Sequence, residues 1–276
     1  MRFGMVAVVV LVVSAMSTTI YLYVEGSRTH RIPPIGTPTN GSANVTLDIQ
    51  SIHNDYSELV CDLAVSPAAG MLDPATHGLK QSLTVTVTST TVPTTRTWTV
   101  GMLPGVIPVP LTLARDTESW PLDRYFSGPV TVELYLGNAT NPERARVTFV
   151  DRLAGWQAQI RPAADDQSAA YTIDLERSAS TIAFAAVILC ILIAIATQAL
   201  FVAVQTLRGR RPFQAPMTTW YAAMLFAVVP LRNALPGSPA FGSWVDLTIV
   251  LWVLVALVVS MLLYIASWWR QLKPAH

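Results

Sequence analysis

Charge is scarce in this sequence. Of its 276 residues, 13% are Asp, Glu, Lys or Arg, about half the quarter usual for a soluble protein. The formal net charge is +1, so the basic surplus that a nucleic-acid-binding surface needs is missing. An apolar fraction of 52% excludes a disordered chain, and so few charges exclude a long solvated coiled coil. Cysteine is almost absent. Cys61 falls in a β-patterned run, ELVCDLAV, and Cys190 inside a long apolar run, so the two do not pair and no disulfide scaffold is expected. Cys61 reads as a small buried hydrophobe.

Catalytic signatures are missing too. The sequence has no Gly-x-Ser-x-Gly elbow, phosphate-binding loop, dinucleotide fingerprint or His-Glu-x-x-His. His30, His53, His77 and His276 lie far apart, without Cys or carboxylate at ligand spacing, so neither a metal nor another cofactor is expected. Asp165 and Asp166 sit in a Pro/Ala/Ser/Gln-rich stretch and read as a solvated turn, not an acid/base pair. The expectation is a protein that is not an enzyme.

What the chain does have is long apolar runs. Crossing a bilayer takes about 20 mostly apolar residues, and four runs qualify: 5–24, 181–204, 217–235 and 245–268. The first carries Val13-Ser14-Ala15, a possible cleavage box. Its apolar character continues to Tyr21 and Tyr23, which favours an uncleaved anchor. Threading four spans in order puts Arg2, Arg208, Arg210, Arg211, Arg270 and Lys273 on one side. By the positive-inside rule that side is cytoplasmic. The predicted protein is a multi-pass protein of a bacterial plasma membrane, with both termini inside and residues 25–180 outside. Its parts are an anchor (1–24), a Pro-rich stalk (25–42), an external domain (43–178) and a three-helix membrane region (179–276).

The external part alternates with period two. Val45, Leu47 and Ile49 interleave with Thr46, Asp48 and Gln50, and Leu83, Val85 and Val87 with Thr84, Thr86 and Thr88. The pattern recurs at 130–136, 147–149, 156–160 and 171–175, with further apolar runs at 56–65, 94–101 and 106–113. Eight or nine short strands predict an antiparallel β-sandwich with Ig-like layering, and an α+β membrane protein overall. From Glu25 to Ser178 there are 11 basic and 16 acidic residues, a solvated acidic surface.

One segment carries more information, RDTESWPLDRYFSGPVTVELYL (115–136). Pro121 fixes φ and pushes Trp120 towards an extended conformation, while Asp123 can accept from turn amides. The plain reading is a rigid turn whose Trp120 and Tyr125 plug one end of the sandwich. The sharper reading seats the loop on the helices, with Asp123 or Arg124 meeting Arg232 or Asp246 as a coupling element. Arg208, Arg210 and Arg211 anchor topology, or hold anionic lipid headgroups. Gln198 suits an interhelical hydrogen bond and Trp252 a place between helices.

Together with PLRNALPGSPAFGSWVDL (230–247), the segment resembles an actinobacterial membrane-protein family, domain of unknown function 4436. That family's layout of one helix, an external β-domain and three helices covers the whole chain. The resemblance implies architecture and brings no catalytic residues. Trp120-Pro121-Leu122-Asp123 is also similar to the Phe-Pro-Phe-Asp core of pentameric ligand-gated channels.

The functional expectation is therefore an external module that binds or scaffolds an envelope protein partner or further copies of itself, with membrane lipids around its helices. The alternative is a homo-oligomeric channel or channel-like sensor, for which Thr248 and Ser260 would line a pore.

Overall fold

Period-two patterning produces strands wherever it is strong. In β2 (Asn44–His53) Val45, Leu47 and Ile49 are fully buried while the residues between them face the other way. A computed structural model describes residues 43–53, 57–90, 92–117, 120–144, 146–162, 170–237, 239 and 241–271, and, before these, residues 16, 17, 20, 24, 30 and 31. The expected anchor and stalk, and Asp165-Asp166, lie outside the described residues apart from those isolated positions.

The chain divides into a β unit, up to residue 118 with 122–178, and a helical unit, 119–121 with 179 onward. In the β unit, β1 (His30–Arg31) and β2 are followed by β3 (Glu58–Ser66), β4 (Leu83–Ser89), β5 (Val92–Trp98), β6 (Ile107–Thr117) and β7 (Arg124–Ser127). Then come β8 (Val130–Leu136), β9 (Glu143–Arg144), β10 (Arg146–Asp151), β11 (Trp156–Pro162) and β12 (Ala170–Arg177). Ten strands form one hydrogen-bonded path, β1-β10-β2-β3-β6-β7-β12-β8-β4-β5, with β11 added beside β12 and β9 beside β8.

Every expected strand is present, and β1, β7 and β9 are additional. The arrangement is not purely antiparallel as expected. β10 runs parallel to β2, with Val147 opposite Val45 and Phe149 opposite Leu47, so the sheet is mixed. Alternation fixes which face of a strand is buried, not which way its neighbour runs.

The long strand β6 joins the two halves of the path. Residues 107–112 pair with β3 and residues 113–117 with β7. Pro108 and Pro110 fit because the first half has a ladder neighbour on one side only. Inward residues of both halves, among them Leu47, Leu63, Leu83, Leu134, Phe149 and Ile173, belong to one hydrophobic core. Outside it, Thr84 and Thr86 of β4 meet Thr97 and Thr95 of β5 at 2.9 and 3.2 Å. Such cross-strand hydroxyl pairs stabilise a solvated face.

Cys61 is buried as expected. Burial, with Asp48 and Asp62 adding to it, pushes its thiol pKa well up, and the thiolate is the reactive form. In the folded protein at pH 8, a water-soluble maleimide is expected to leave Cys61 unmodified until denaturant is added. Peptide mapping by mass spectrometry reads this; modification under native conditions would contradict the burial.

The helical unit contains α1 (Ala179–Leu207), α2 (Pro216–Asn233), a π-helical turn (Asp246–Val250) and α3 (Leu251–Gln271). α1 buries a small-residue face, including Ala185, Ala196, Ala199 and Ala203, which lets a neighbouring helix approach closely. α3 answers with Val253, Leu257, Ser260, Tyr264 and Ser267 at alternating spacings of four and three, a single helical stripe.

Of the three expected spans that fall among the described residues, two, Ala179–Leu207 and Asp246–Gln271, form helices long and apolar enough to cross a membrane. The expected third span forms the 18-residue helix α2, but Thr218, Thr219, Trp220 and Tyr221 at one end and Pro230, Arg232 and Asn233 at the other dilute its apolar character. Two further expectations fail in this unit. Gln198 is exposed on α1 instead of bonding between helices, and Trp252 is 65% exposed rather than packed between them.

Candidate functional site

The two parts of the Trp120–Tyr125 segment contribute to different cores. Asp123 and Tyr125 belong to the β unit. β7 pairs antiparallel with β12, Arg124 opposite Glu176, so the next pair along is Asp123 and Arg177. The Arg177 guanidinium grips both carboxylate oxygens, Nε donating to Oδ1 and Nη2 to Oδ2, the latter at 2.9 Å. The two side chains are 3% and 6% exposed. Two buried charges are tolerable because the forked donor matches the carboxylate and leaves neither charge uncompensated.

Aromatic rings extend this pair. Trp156 of β11 stands opposite Arg177 in the ladder, and the guanidinium lies 4.5 Å from its ring centre. Tyr125 meets Trp156 edge-on at 5.5 Å, and Arg115 lies 5.6 Å over the Tyr125 ring. Burial raises the Tyr125 hydroxyl pKa, and the Asp123 charge adds to the shift. Arg124, by contrast, is exposed and reaches Glu176 at 3.4 Å, an ion pair of little energetic weight.

Trp120 and Pro121, joined by a cis peptide bond, belong to the helical unit. Trp120 is 5% exposed and packs in the core that includes Leu235 and Val245. Its indole N–H donates to the Pro236 carbonyl at 3.0 Å, and its own carbonyl accepts from the Trp244 indole. A buried indole needs such a partner. The plain reading of the turn thus holds for Tyr125, which joins the β core, and not for Trp120.

The loop between α2 and the π-helical turn has its own ion pair. Arg232 donates to both oxygens of Asp246, from Nε at 3.0 Å and Nη2 at 2.7 Å. Nη2 also reaches the Pro239 carbonyl at 2.7 Å, and the guanidinium lies 4.1 Å over Phe241. Asp246 accepts from the Gly242 amide as well, at 3.1 Å. The expected candidates therefore fall into two pairs, each within its own unit: Asp123 with Arg177 in the β unit and Arg232 with Asp246 in the helical unit. Arg208, Arg210 and Arg211 are exposed in the loop after α1. The cores and pairs described are structural chemistry, and nothing in them is arranged as a nucleophile with a base.

Sequence reasoning missed Arg177, Trp156, Trp244 and Phe241. For Arg177 a signal existed. Extending the alternation Tyr171, Ile173, Leu175 by one step puts Arg177 on the buried face of β12, where an arginine calls for a carboxylate.

Residues 34–175, more than half of the chain, match the family described as Domain of unknown function (DUF4436). The chain belongs to this family. DUF4436 thus covers β2 to nearly the end of β12, not the whole chain as the resemblance implied. Residues 177–271 match a second family, Domain of unknown function (DUF8686). The segment 230–247, which helped to suggest DUF4436, falls within the second match. No curated protein matches the chain.

Proposed function

We propose that this DUF4436 protein is a non-enzymatic integral membrane protein of the bacterial plasma membrane. Its β unit, folded sandwich-like around one core, lies outside and acts as a binding or scaffolding module for an envelope protein partner. The observation that carries this reading is the division of Trp120-Pro121-Leu122-Asp123. Trp120 is locked into the core of a unit with two helices apolar enough to span a bilayer, and Asp123 into a buried ion pair of the β unit.

The channel reading has less support. Ser260 is fully buried and its hydroxyl donates to the Ala256 carbonyl. Thr248 donates to the Trp244 carbonyl, so both hydroxyls are committed to their own helix.

The test is the mass of the gently solubilised complex, with co-purifying proteins identified. A stoichiometric foreign protein is expected. Recovery as a lone monomer would overturn the scaffold reading, and a closed homo-oligomer would favour the channel, to be followed by conductance measurements.

A further inference from the structure

The end of the helical unit that carries Arg208–Arg211 holds a cavity of about 370 Å³, lined among others by Phe201, Gln205, Thr206, Arg211, Met217 and Tyr264. We infer that this cavity binds the headgroup of an anionic phospholipid, with Arg211 on the phosphate and the Gln205 carbonyl accepting from a headgroup hydroxyl. The inference rests on α1 and α3 crossing a bilayer, as proposed above.

Three observations carry it. The first is unbalanced positive charge. Asp246 is the single Asp or Glu after residue 178, and it is taken by Arg232. Arg208, Arg210 and Arg211 therefore have no acid in their own unit, and a phosphate is the anion a bilayer surface supplies. The second is an unmet acceptor. Gln205 Oε1 is shielded from solvent and has no hydrogen-bond partner, an unfavourable state until a donor arrives. A hydroxyl-bearing headgroup brings one.

The third is that the lining is held in place by hydrogen bonds and includes an exposed aromatic ring. The loop 208–215 is pinned to α3, because Tyr264 donates to the Gln214 carbonyl at 2.9 Å and accepts from the Gln214 amide at 3.0 Å. Gln271 accepts from the Phe213 amide at 2.8 Å and donates to the Thr206 carbonyl at 3.1 Å. Phe201, which also lines the cavity, is 62% exposed on α1. It offers an acyl chain a surface that a free inorganic anion would not use. Phosphatidylglycerol combines the three requirements: a phosphate, free hydroxyls and acyl chains.

The experiment is native mass spectrometry of the full-length protein, extracted from vesicles of equal phosphatidylglycerol and phosphatidylcholine, with and without excess inorganic phosphate. One phosphatidylglycerol per chain is expected to be retained. Arg211→Gln and Gln205→Leu should each weaken retention by about tenfold, the size of one lost charge-assisted or buried hydrogen bond. Arg211→Lys should keep most of it, and Arg208→Gln should change it less than threefold. Equal retention of both lipids, an unaffected Arg211→Gln variant, or displacement by inorganic phosphate would each overturn the assignment. A lysine variant as weak as the glutamine variant would also count against it. Failure of the protein to partition into membranes at all would instead overturn the membrane reading, so the two failures are distinguishable.

Discussion

Replacing Asp123 with alanine is expected to destabilise the β unit by about 3–5 kcal/mol, because it leaves the Arg177 guanidinium buried without its counter-charge. Trp156 offers the guanidinium a ring face at 4.5 Å, worth on the order of 1–2 kcal/mol, less than the loss of a buried counter-charge. Asp123→Asn should be nearly as damaging, since it keeps the shape and removes the charge. The informative variant is the double one. With Asp123→Leu and Arg177→Met together no charge remains buried, and apolar replacements of buried pairs are often neutral or better. The double variant should therefore be more stable than Asp123→Ala alone. Denaturant titration of the full-length protein in detergent, read by protease resistance of residues 43–178, measures each loss. A cost below about 1 kcal/mol, with additive single effects, would mean that the pair behaves as a solvated surface bridge.

This pair also marks where sequence reasoning stopped. The strands were legible because alternation is a local property, and Val45, Leu47 and Ile49 announce their shared face without reference to any other strand. The parallel β2–β10 pairing and the division of β6 between two neighbours were not legible. Both depend on which strands meet, and period two carries no such information. The functional segment shows the same boundary. Turn chemistry at Trp120-Pro121 and burial of Tyr125 could be read locally. The partner of Asp123 stands 54 positions away, and only the β7–β12 register brings it opposite. Helices posed the converse difficulty. Apolar length picked out α1 and α3 as helices long and apolar enough to cross a membrane, whereas α2 shows how polar ends in a short run defeat a count of apolar residues. The outward faces of Gln198 and Trp252 were hidden because α1 and α3 are apolar all round, so no stripe distinguished the packed side.

Trp120→Ala is the second change with a large expected effect, about 3–5 kcal/mol for emptying a buried indole site. The loss should fall on the helical unit, whose core contains Trp120 together with Leu235 and Val245. Two hydrogen bonds are at stake as well. The Pro236 carbonyl loses the indole donor at 3.0 Å, and the Trp244 indole keeps its acceptor only if the backbone at residue 120 stays in place. Trp120→Phe separates these contributions. It retains most of the apolar contact and removes the donor alone, so its cost should be nearer 1–2 kcal/mol, roughly that of one lost hydrogen bond. Thermal unfolding of the full-length protein in detergent, followed by proteolysis mapped to individual loops, reads both variants. New cleavage is expected first in residues 234–245, whose carbonyls and rings surround Trp120 and Arg232, with residues 43–117 still resistant. If Trp120→Ala melted like the unaltered protein, the indole would not be an element of the helical core. If cleavage appeared equally in residues 43–117, the loss would not be confined to the helical core and the assignment of Trp120 to that core would fail.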